Sequence, residues 1–166
     1  MEISSFNDLA SIILRELGRL IARHEGLEVF AAERARFEGW VKVELIGILR
    51  RYFNNVIPEA SGIDVVADDW AIEIKTVNTN YRYPGVKNKT RPITKNIEGV
   101  LKDIEKLKKI KFKNKLILFI VFPLPSNSLK WWKRHLAKIQ RRVKEIKSYE
   151  VAFRNGIPLI IYLGYI

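Results

Sequence analysis

The sequence has no cysteine and only two histidines, and this excludes several kinds of site. Without cysteine there is no disulfide framework and no cysteine-ligated metal. His24 and His135 are too far apart in the chain to suggest a histidine-rich site. A serine nucleophile, a Cys–His pair, a zinc finger, a Walker loop and a glycine-rich nucleotide loop also have no candidate spacing.

Long apolar runs are also missing. The longest, Leu116–Leu124, is far short of a membrane span. The residues after Met1 open directly into a helix-like pattern and do not resemble a signal peptide. We therefore expect a soluble, cytoplasmic protein with no membrane partner. Its 166 residues suit one domain over 1–166, since no repeat and no Gly/Ser-rich linker marks a second domain.

Acidic residues are few relative to basic ones. The chain has 18 Asp and Glu against 30 Lys and Arg, which gives a net charge of +12 and a pI near 10.0. This balance favours a polyanionic partner, with nucleic acid first and an anionic membrane surface second. The alternative is a protein that is basic without such a partner.

Hydrophobic periodicity predicts a mixed α/β fold. Ser5–Asp8 has the form of a capping box, and it precedes a helix over about residues 5–25. A long second helix is predicted from Val29 to Phe53. The remaining elements are a short edge strand from Val56, strands at Ile63–Ala67 and Trp70–Val77, a helix at about Thr94–Ile110, a strand at Leu116–Phe122, a helix from Ser126 or Ser128 to about Ile146, and strands at Tyr149–Phe153 and Pro158–Tyr165. We expect a mixed sheet with helices on both faces, in which the third helix connects two parallel strands.

The most informative segment is Gly62–Thr76. Asp64 lies in an apolar strand, and Glu73 and Lys75 alternate with isoleucines on the next strand, so both charged side chains point to one face. The Asp–Asp pair between the strands is typical of a hairpin turn. Charges on a strand central to the fold are costly unless they are compensated, and a divalent metal and a phosphate would compensate them. The alternative is an exposed strand face with solvated charges.

Two glutamates of the predicted second helix lie beside its apolar stripe. Glu38 and Glu44 are on opposite edges of that stripe, and either is in reach of a metal held by Asp64 and Glu73. Glu44 is favoured because its edge also carries Trp40, which would wall off a site. The alternative is that both are boundary carboxylates paired with nearby basic side chains.

These features together resemble the PD-(D/E)XK nuclease superfamily, which includes restriction endonucleases and archaeal Holliday-junction resolvases. The resemblance consists of a helical glutamate, then Asp64, then Glu73-Ile74-Lys75 across a hairpin, then a helix and a buried strand. It covers roughly Phe37–Leu124. Ile63 stands where the motif has proline. The resemblance implies a restriction-endonuclease-like mixed central sheet flanked by helices on both faces.

The resemblance also implies roles for these residues. Asp64 and Glu73 would be direct metal ligands, and the backbone carbonyl of Ile74 would complete the shell. Glu44, or Glu38 in its place, would hold the metal or a metal-bound water. Lys75 would orient or help to deprotonate the attacking water. Hard oxygen ligands favour Mg²⁺, with Mn²⁺ as a substitute.

Two segments are candidates for contact with DNA. The polar loop Asn78–Lys95 directly follows the Glu73 strand, the fourth helix comes later in the chain, and both are rich in basic residues. The candidate residues are Arg82, Lys87, Lys89 and Arg91 of the loop and Lys133, Arg134, Arg141 and Arg142 of the helix. A solvated helix face is the alternative for the second set. Trp131 and Trp132 are adjacent, so we expect one to pack in the core and the other to be available for stacking.

The sequence therefore predicts an Mg²⁺-dependent endonuclease that acts on DNA. A catalytically weak or inactive DNA-binding module with the same fold and a basic interaction protein are the alternatives. Because cutting both strands of a duplex often takes two active sites, a homodimer is an option that the sequence leaves open.

Overall fold

The structure is a computed structural model that describes residues 2–88 and 91–166. Over these ranges the chain forms five α-helices and six strands. In chain order they are α1 (Phe6–Arg23), α2 (Glu25–Glu33), α3 (Glu38–Leu49), β1 (Val56–Ala60), β2 (Ile63–Ala67), β3 (Trp70–Asn78), α4 (Ile93–Lys109), β4 (Asn114–Phe122), α5 (Leu129–Gln140), β5 (Glu145–Ala152) and β6 (Pro158–Tyr165). None of the helices in these ranges is long and apolar enough to cross a membrane.

The strands form one mixed sheet in the order β1-β2-β3-β4-β6-β5. β3 and β4 are parallel and are joined through α4, while the other neighbouring strands are antiparallel. The parallel pair confirms the crossover predicted for the third helix. β1 lies at the edge of the sheet, as Pro58 predicts, since proline cannot donate to a second neighbour.

Helices cover both faces of the sheet. Alternate β4 residues such as Leu118 and Ile120 pack with α1, α2 and α3 on one face. The residues between them, such as Phe119 and Val121, pack with α4 and α5 on the other. β4 is thus buried on both sides, which accounts for its continuous apolar sequence. Because Ala71 and Val77 of β3 belong to the second layer, the odd-numbered β3 residues point toward α4.

The prediction of one long second helix is wrong. α2 ends at Glu33, and Arg34 adopts a left-handed backbone conformation with φ of 56° before α3 begins at Glu38. The Arg34 side chain is buried and donates to the carbonyl oxygens of Thr79, Tyr81 and Lys87 at 2.5, 2.6 and 2.5 Å. The break between the helices therefore lets one arginine hold the loop that follows β3.

The predicted fourth helix is too long. α5 ends at Gln140, and Arg141 and Arg142 lie in the turn that follows it. The residues predicted to extend this helix to Ile146 instead begin β5, which pairs with β6 from Glu145 opposite Tyr165 onward. Pairing along the whole of β6 outweighs the helical preference of the basic sequence.

Candidate functional site

The β2–β3 hairpin brings Asp64 next to Glu73. Val65 pairs with Ile72 and Ala67 with Trp70, so the next position along the two strands sets Asp64 opposite Glu73. The turn between the strands is Asp68–Asp69, as predicted. Asp68 has φ of 48°, and its carboxylate accepts hydrogen bonds from the backbone N–H groups of two residues ahead of β1, which holds the turn in place.

The two carboxyl groups lie side by side in a largely buried position, where they are close enough to share a proton. Glu73 is 4% exposed. Burial raises the pKa of Glu73 to about 7, the hydrogen bond with Asp64 acts in the same direction, and the ammonium of Lys106 opposes both. Burial also acts to raise the pKa of Asp64, but its hydrogen bonds to Glu73, the Ile74 N–H and Lys42 outweigh burial and leave that pKa lowered. The pair therefore shares one proton as the pH falls through neutrality.

Each carboxylate also has a lysine as counter-charge. Lys42 of α3 lies 3.0 Å from Asp64 Oδ1 and 3.1 Å from Glu59 Oε1. Lys106 of α4 forms an ion pair with Glu73 and donates to the carbonyl oxygen of Gly62 at 2.5 Å. The two lysines approach from the two helical layers. Lys106 was not predicted from the sequence, although its position next to the inward Leu107 places it at the border of the apolar stripe of α4.

Beyond Glu73, β3 is no longer paired with β2. The backbone N–H groups at this unpaired edge instead donate to acidic side chains. The Ile74 N–H donates to Asp64 Oδ2 at 2.8 Å, and the Thr76 N–H donates to Glu38 Oε1 at 3.2 Å. In a strand the N–H and C=O groups of one residue face the same edge. The Ile74 carbonyl therefore lies on the edge that carries Asp64, close to where the resemblance places a metal ligand.

Of the two helical glutamates, the structure brings Glu38 to this edge and not Glu44. Glu38 is the first residue of α3 and reaches Thr76, and Lys42 one turn later reaches Asp64. Glu44 follows Lys42 by two residues, which turns it about 200° around the helix, away from the hairpin. It forms no hydrogen bond or ion pair with any residue that the structure describes. Glu44 was preferred because its edge of the apolar stripe carries Trp40, but the structure places the opposite edge, with Glu38 and Lys42, against the hairpin.

Lys75 lies on the same strand face as Glu73, but its partner comes from α4. Its Nζ is 3.3 Å from Asp103 Oδ2. Burial raises the pKa of Asp103, and the charge of Lys75 opposes that rise. Asp103 is a second residue that sequence analysis missed, and like Lys106 it lies on the polar border of the apolar stripe of α4.

The donor chemistry of the site suits a hard divalent cation, although the set is small. Asp64 and Glu73 are two carboxylates in contact, and the Ile74 carbonyl lies along the same edge. Mg²⁺ is typically bound through one or two carboxylates and retains several waters. No group of three or more His, Asp or Glu side chains within residues 2–88 and 91–166 is arranged to hold a metal. A cation here would rely on water for the rest of its shell.

A groove of about 410 Å³ opens beside Lys75, and its lining is strongly basic. Arg91, which the sequence analysis named, is part of it. The lining also contains Lys75 and three basic residues that were not predicted from the sequence. These are Arg36, Lys95 and Lys102. Of the other predicted loop residues, Arg82 and Lys87 are exposed, and Lys87 lies 3.7 Å from Glu33. Lys89 lies outside the described residues.

The second predicted set of basic residues lies on α5 and in the turn that follows it. α5 packs in the same layer as α4, and Trp132 is 1% exposed while Trp131 is 48% exposed, so the expected division of the two tryptophans is confirmed. Arg134 lies 5.2 Å over the Trp131 ring, and Lys133 is exposed beside it. Arg142 lies 2.8 Å from Glu105, which compensates part of its charge.

The structure thus defines a mixed α/β protein with a carboxylate pair at a free strand edge. Comparison with known proteins adds no relative: no family model matches the chain, and no curated protein and no solved structure matches it.

Proposed function

We propose that this chain is a metal-dependent endonuclease that hydrolyses phosphodiester bonds in DNA, with a restriction-endonuclease-like fold of the PD-(D/E)XK type. The observation that carries the proposal is the contact between Asp64 and Glu73 at the free edge of β3. Ile74 has its backbone at that edge, and Lys75 follows on the same face as Glu73. A buried pair of carboxylates is costly to ionise, and a divalent cation would remove that cost.

Asp64, Glu73 and the Ile74 carbonyl are the groups that would hold Mg²⁺, or Mn²⁺ in its place. When bound, such an ion activates water and offsets charge on a phosphate. Lys42 and Lys106 now compensate the two carboxylates. Both are long side chains with Nζ at the end of a flexible stem, so they are able to turn aside when a cation takes over that role.

The remaining polar groups of the site have roles that follow from their contacts. Lys75 orients the attacking water and offsets charge on the scissile phosphate. Asp103, 3.3 Å from its Nζ, is a positioning residue that restricts where the ammonium is held. Glu38 supports the β3 edge through the Thr76 N–H and adds negative charge near the cation.

DNA is the proposed substrate because the chain carries a net charge of +12 and its basic groove lies next to Lys75. A polyanion with regularly spaced phosphates matches that charge distribution. The second candidate is a DNA-binding module of the same fold without catalysis. The pairing of Asp64 with Lys42 and of Glu73 with Lys106 favours it, since the carboxylates are compensated without a metal.

Nicking of supercoiled plasmid by the purified protein tests the proposal. Nicking that requires Mg²⁺, stops in EDTA and disappears in Asp64→Asn is expected. Asp69→Asn is the matched control, because Asp69 lies in the turn of the same hairpin and its exposed carboxylate contacts Lys113 at 3.8 Å and Asn114 at 3.4 Å, away from the carboxylate pair. Binding of plasmid without any nicking would support the second candidate. If the protein neither binds nor nicks the plasmid, both candidates are contradicted and a basic interaction protein is the remaining alternative.

A further inference from the structure

The groove beside Lys75 lies between the segment that joins α2 to α3 and the first turns of α4. Arg36 comes from the first of these segments, Arg91 from just ahead of α4, and Lys95 and Lys102 from α4 itself. Glu98 is the acidic residue of the lining. The groove therefore gathers positive charge from separate parts of the chain onto one concave surface.

These charges are not compensated within the described part of the protein. Arg36, Arg91, Lys95 and Lys102 are exposed, and none forms an ion pair with another described residue. Many other cations of the fold, such as Lys42 and Arg154, do have acidic partners. Like charges held together without counter-ions attract a polyanion.

A buried hydroxyl on the wall of the groove also lacks a partner. Thr76 is 5% exposed and lines the groove, and its Oγ1 makes no hydrogen bond with any described residue. An unpaired buried hydroxyl costs free energy, and buried polar groups in proteins are normally satisfied. In addition, α4 begins after Pro92 with no side-chain cap, and while the Lys95 N–H donates to the Pro92 carbonyl, the N–H groups of Ile93 and Thr94 have no partner among the described residues.

We propose that this groove binds the phosphodiester backbone of a nucleic-acid strand, with phosphate oxygens accepting hydrogen bonds from Arg36, Arg91, Lys95 and the Thr76 hydroxyl. The cations are spread along the groove over three chain segments, which matches a row of phosphates better than one isolated phosphate. The position of the cut on that strand rests on the proposed function, but binding of the strand does not.

Fluorescence anisotropy with a labelled duplex oligonucleotide in EDTA tests the proposal. The groove variant is Arg36→Gln/Arg91→Gln/Lys95→Gln, and the control is Arg23→Gln/Lys109→Gln/Lys111→Gln, which removes the same number of exposed cations elsewhere. The groove variant is expected to bind about tenfold or more weakly, and its slope of log affinity against log salt falls by about 2 to 3, since each phosphate contributes roughly 0.9. The control is expected to change affinity less than about twofold. Equal losses in the two variants would overturn the proposal.

Thr76→Val supplies a second readout that does not depend on net charge. It keeps the shape of the side chain and removes the hydroxyl. Affinity is expected to fall several-fold while Tm stays equal or rises, because the hydroxyl has no partner in the free protein. Unchanged affinity would remove Thr76 from the site. Complete displacement of the strand by millimolar inorganic phosphate at constant ionic strength would identify a small phosphate as the occupant and overturn the proposal.

The two proposals fail separately. Binding through the groove without Mg²⁺-dependent nicking contradicts the endonuclease and leaves the groove assignment in place. Nicking by a groove variant that binds DNA like the wild type contradicts the groove assignment and leaves the endonuclease in place.

Discussion

Asp64 Oδ2 accepts a 2.8 Å hydrogen bond from the backbone N–H of Ile74. The aspartate side chain thus takes the position that a backbone carbonyl of β2 would occupy if the ladder continued. This contact sets the orientation of the Asp64 carboxylate at the point where β3 becomes free. It also keeps the Ile74 backbone and the Asp64 carboxylate together next to Glu73.

Loss of Lys106 is expected to strengthen Mg²⁺ binding. In Lys106→Ala the buried Glu73 carboxylate has no ammonium partner, so a cation replaces a missing charge instead of competing with one. We expect lower Tm without metal and a rise in Tm with Mg²⁺ that is larger than in the wild type. Lys109→Ala, one turn along the exposed side of α4, is the control. Equal Mg²⁺-induced shifts in the three proteins would show that Lys106 does not compete with the cation.

Glu73 is expected to make stability depend on pH around neutrality. Its pKa is raised to about 7 in the fold from an ordinary value of 4.5. A raised pKa contributes stability below the unfolded value that is lost as the pH rises through the folded value, so the loss falls between about pH 4.5 and 7. Glu73→Gln removes this loss. The free energy of unfolding of the variant, relative to that of the wild type, is therefore expected to be higher at pH 8 than at pH 5.

Urea unfolding at the two pH values, in EDTA, measures this difference. Glu150→Gln on exposed β5 is the control, and it is expected to shift stability equally at both pH values. A Glu73→Gln effect that is the same at pH 5 and pH 8 would mean that Glu73 is not the group that titrates.

Lys75 and Asp103 are expected to act as one unit in turnover. Lys75→Ala lowers kcat by about 100-fold or more while DNA affinity changes little, as expected for a residue that acts on the water and the developing charge. Asp103→Asn lowers kcat less, because it leaves the ammonium in place but frees it from a fixed position. In the double variant, Asp103→Asn adds nothing to the loss from Lys75→Ala. Additive losses in kcat would show that the two residues act separately.

The hairpin shows which part of the site local sequence predicts. The alternation around Glu73 and Lys75, the Asp68–Asp69 turn and the apolar run of β2 depend on neighbours within a few residues, and the structure has the predicted strands and turn. The parallel pairing of β3 with β4 follows from the helix between them. These features are encoded by period and by connection length, which are visible in the chain.

The partners of the site residues depend on distant parts of the chain and were not predicted. Asp103 and Lys106 reach Lys75 and Glu73 only because α4 packs on the sheet at a particular register. The break at Arg34 has no glycine or proline to mark it, since its cause is the set of loop carbonyls that the arginine binds. Both depend on tertiary contacts, and at Arg34 those contacts override a local helical pattern.

Glu38 is expected to influence metal affinity and Glu44 is not. Glu38→Gln keeps an oxygen that accepts from the Thr76 N–H but removes the charge near Asp64, so a several-fold higher Mg²⁺ requirement for cleavage is expected. Glu44→Gln, on the far side of the same helix, is the matched control and behaves like the wild type. A raised requirement in Glu44→Gln alone would contradict the placement of Glu38 in the site.

Calorimetric titration of Mg²⁺ into the purified protein at pH 8 tests most directly whether Asp64 and Glu73 together hold a divalent cation. We predict one site per chain in the wild type and in Asp69→Asn, and none in Asp64→Asn or Glu73→Gln. If the wild type gives no heat of binding, or if both carboxylate variants still give it, this account of the site is contradicted.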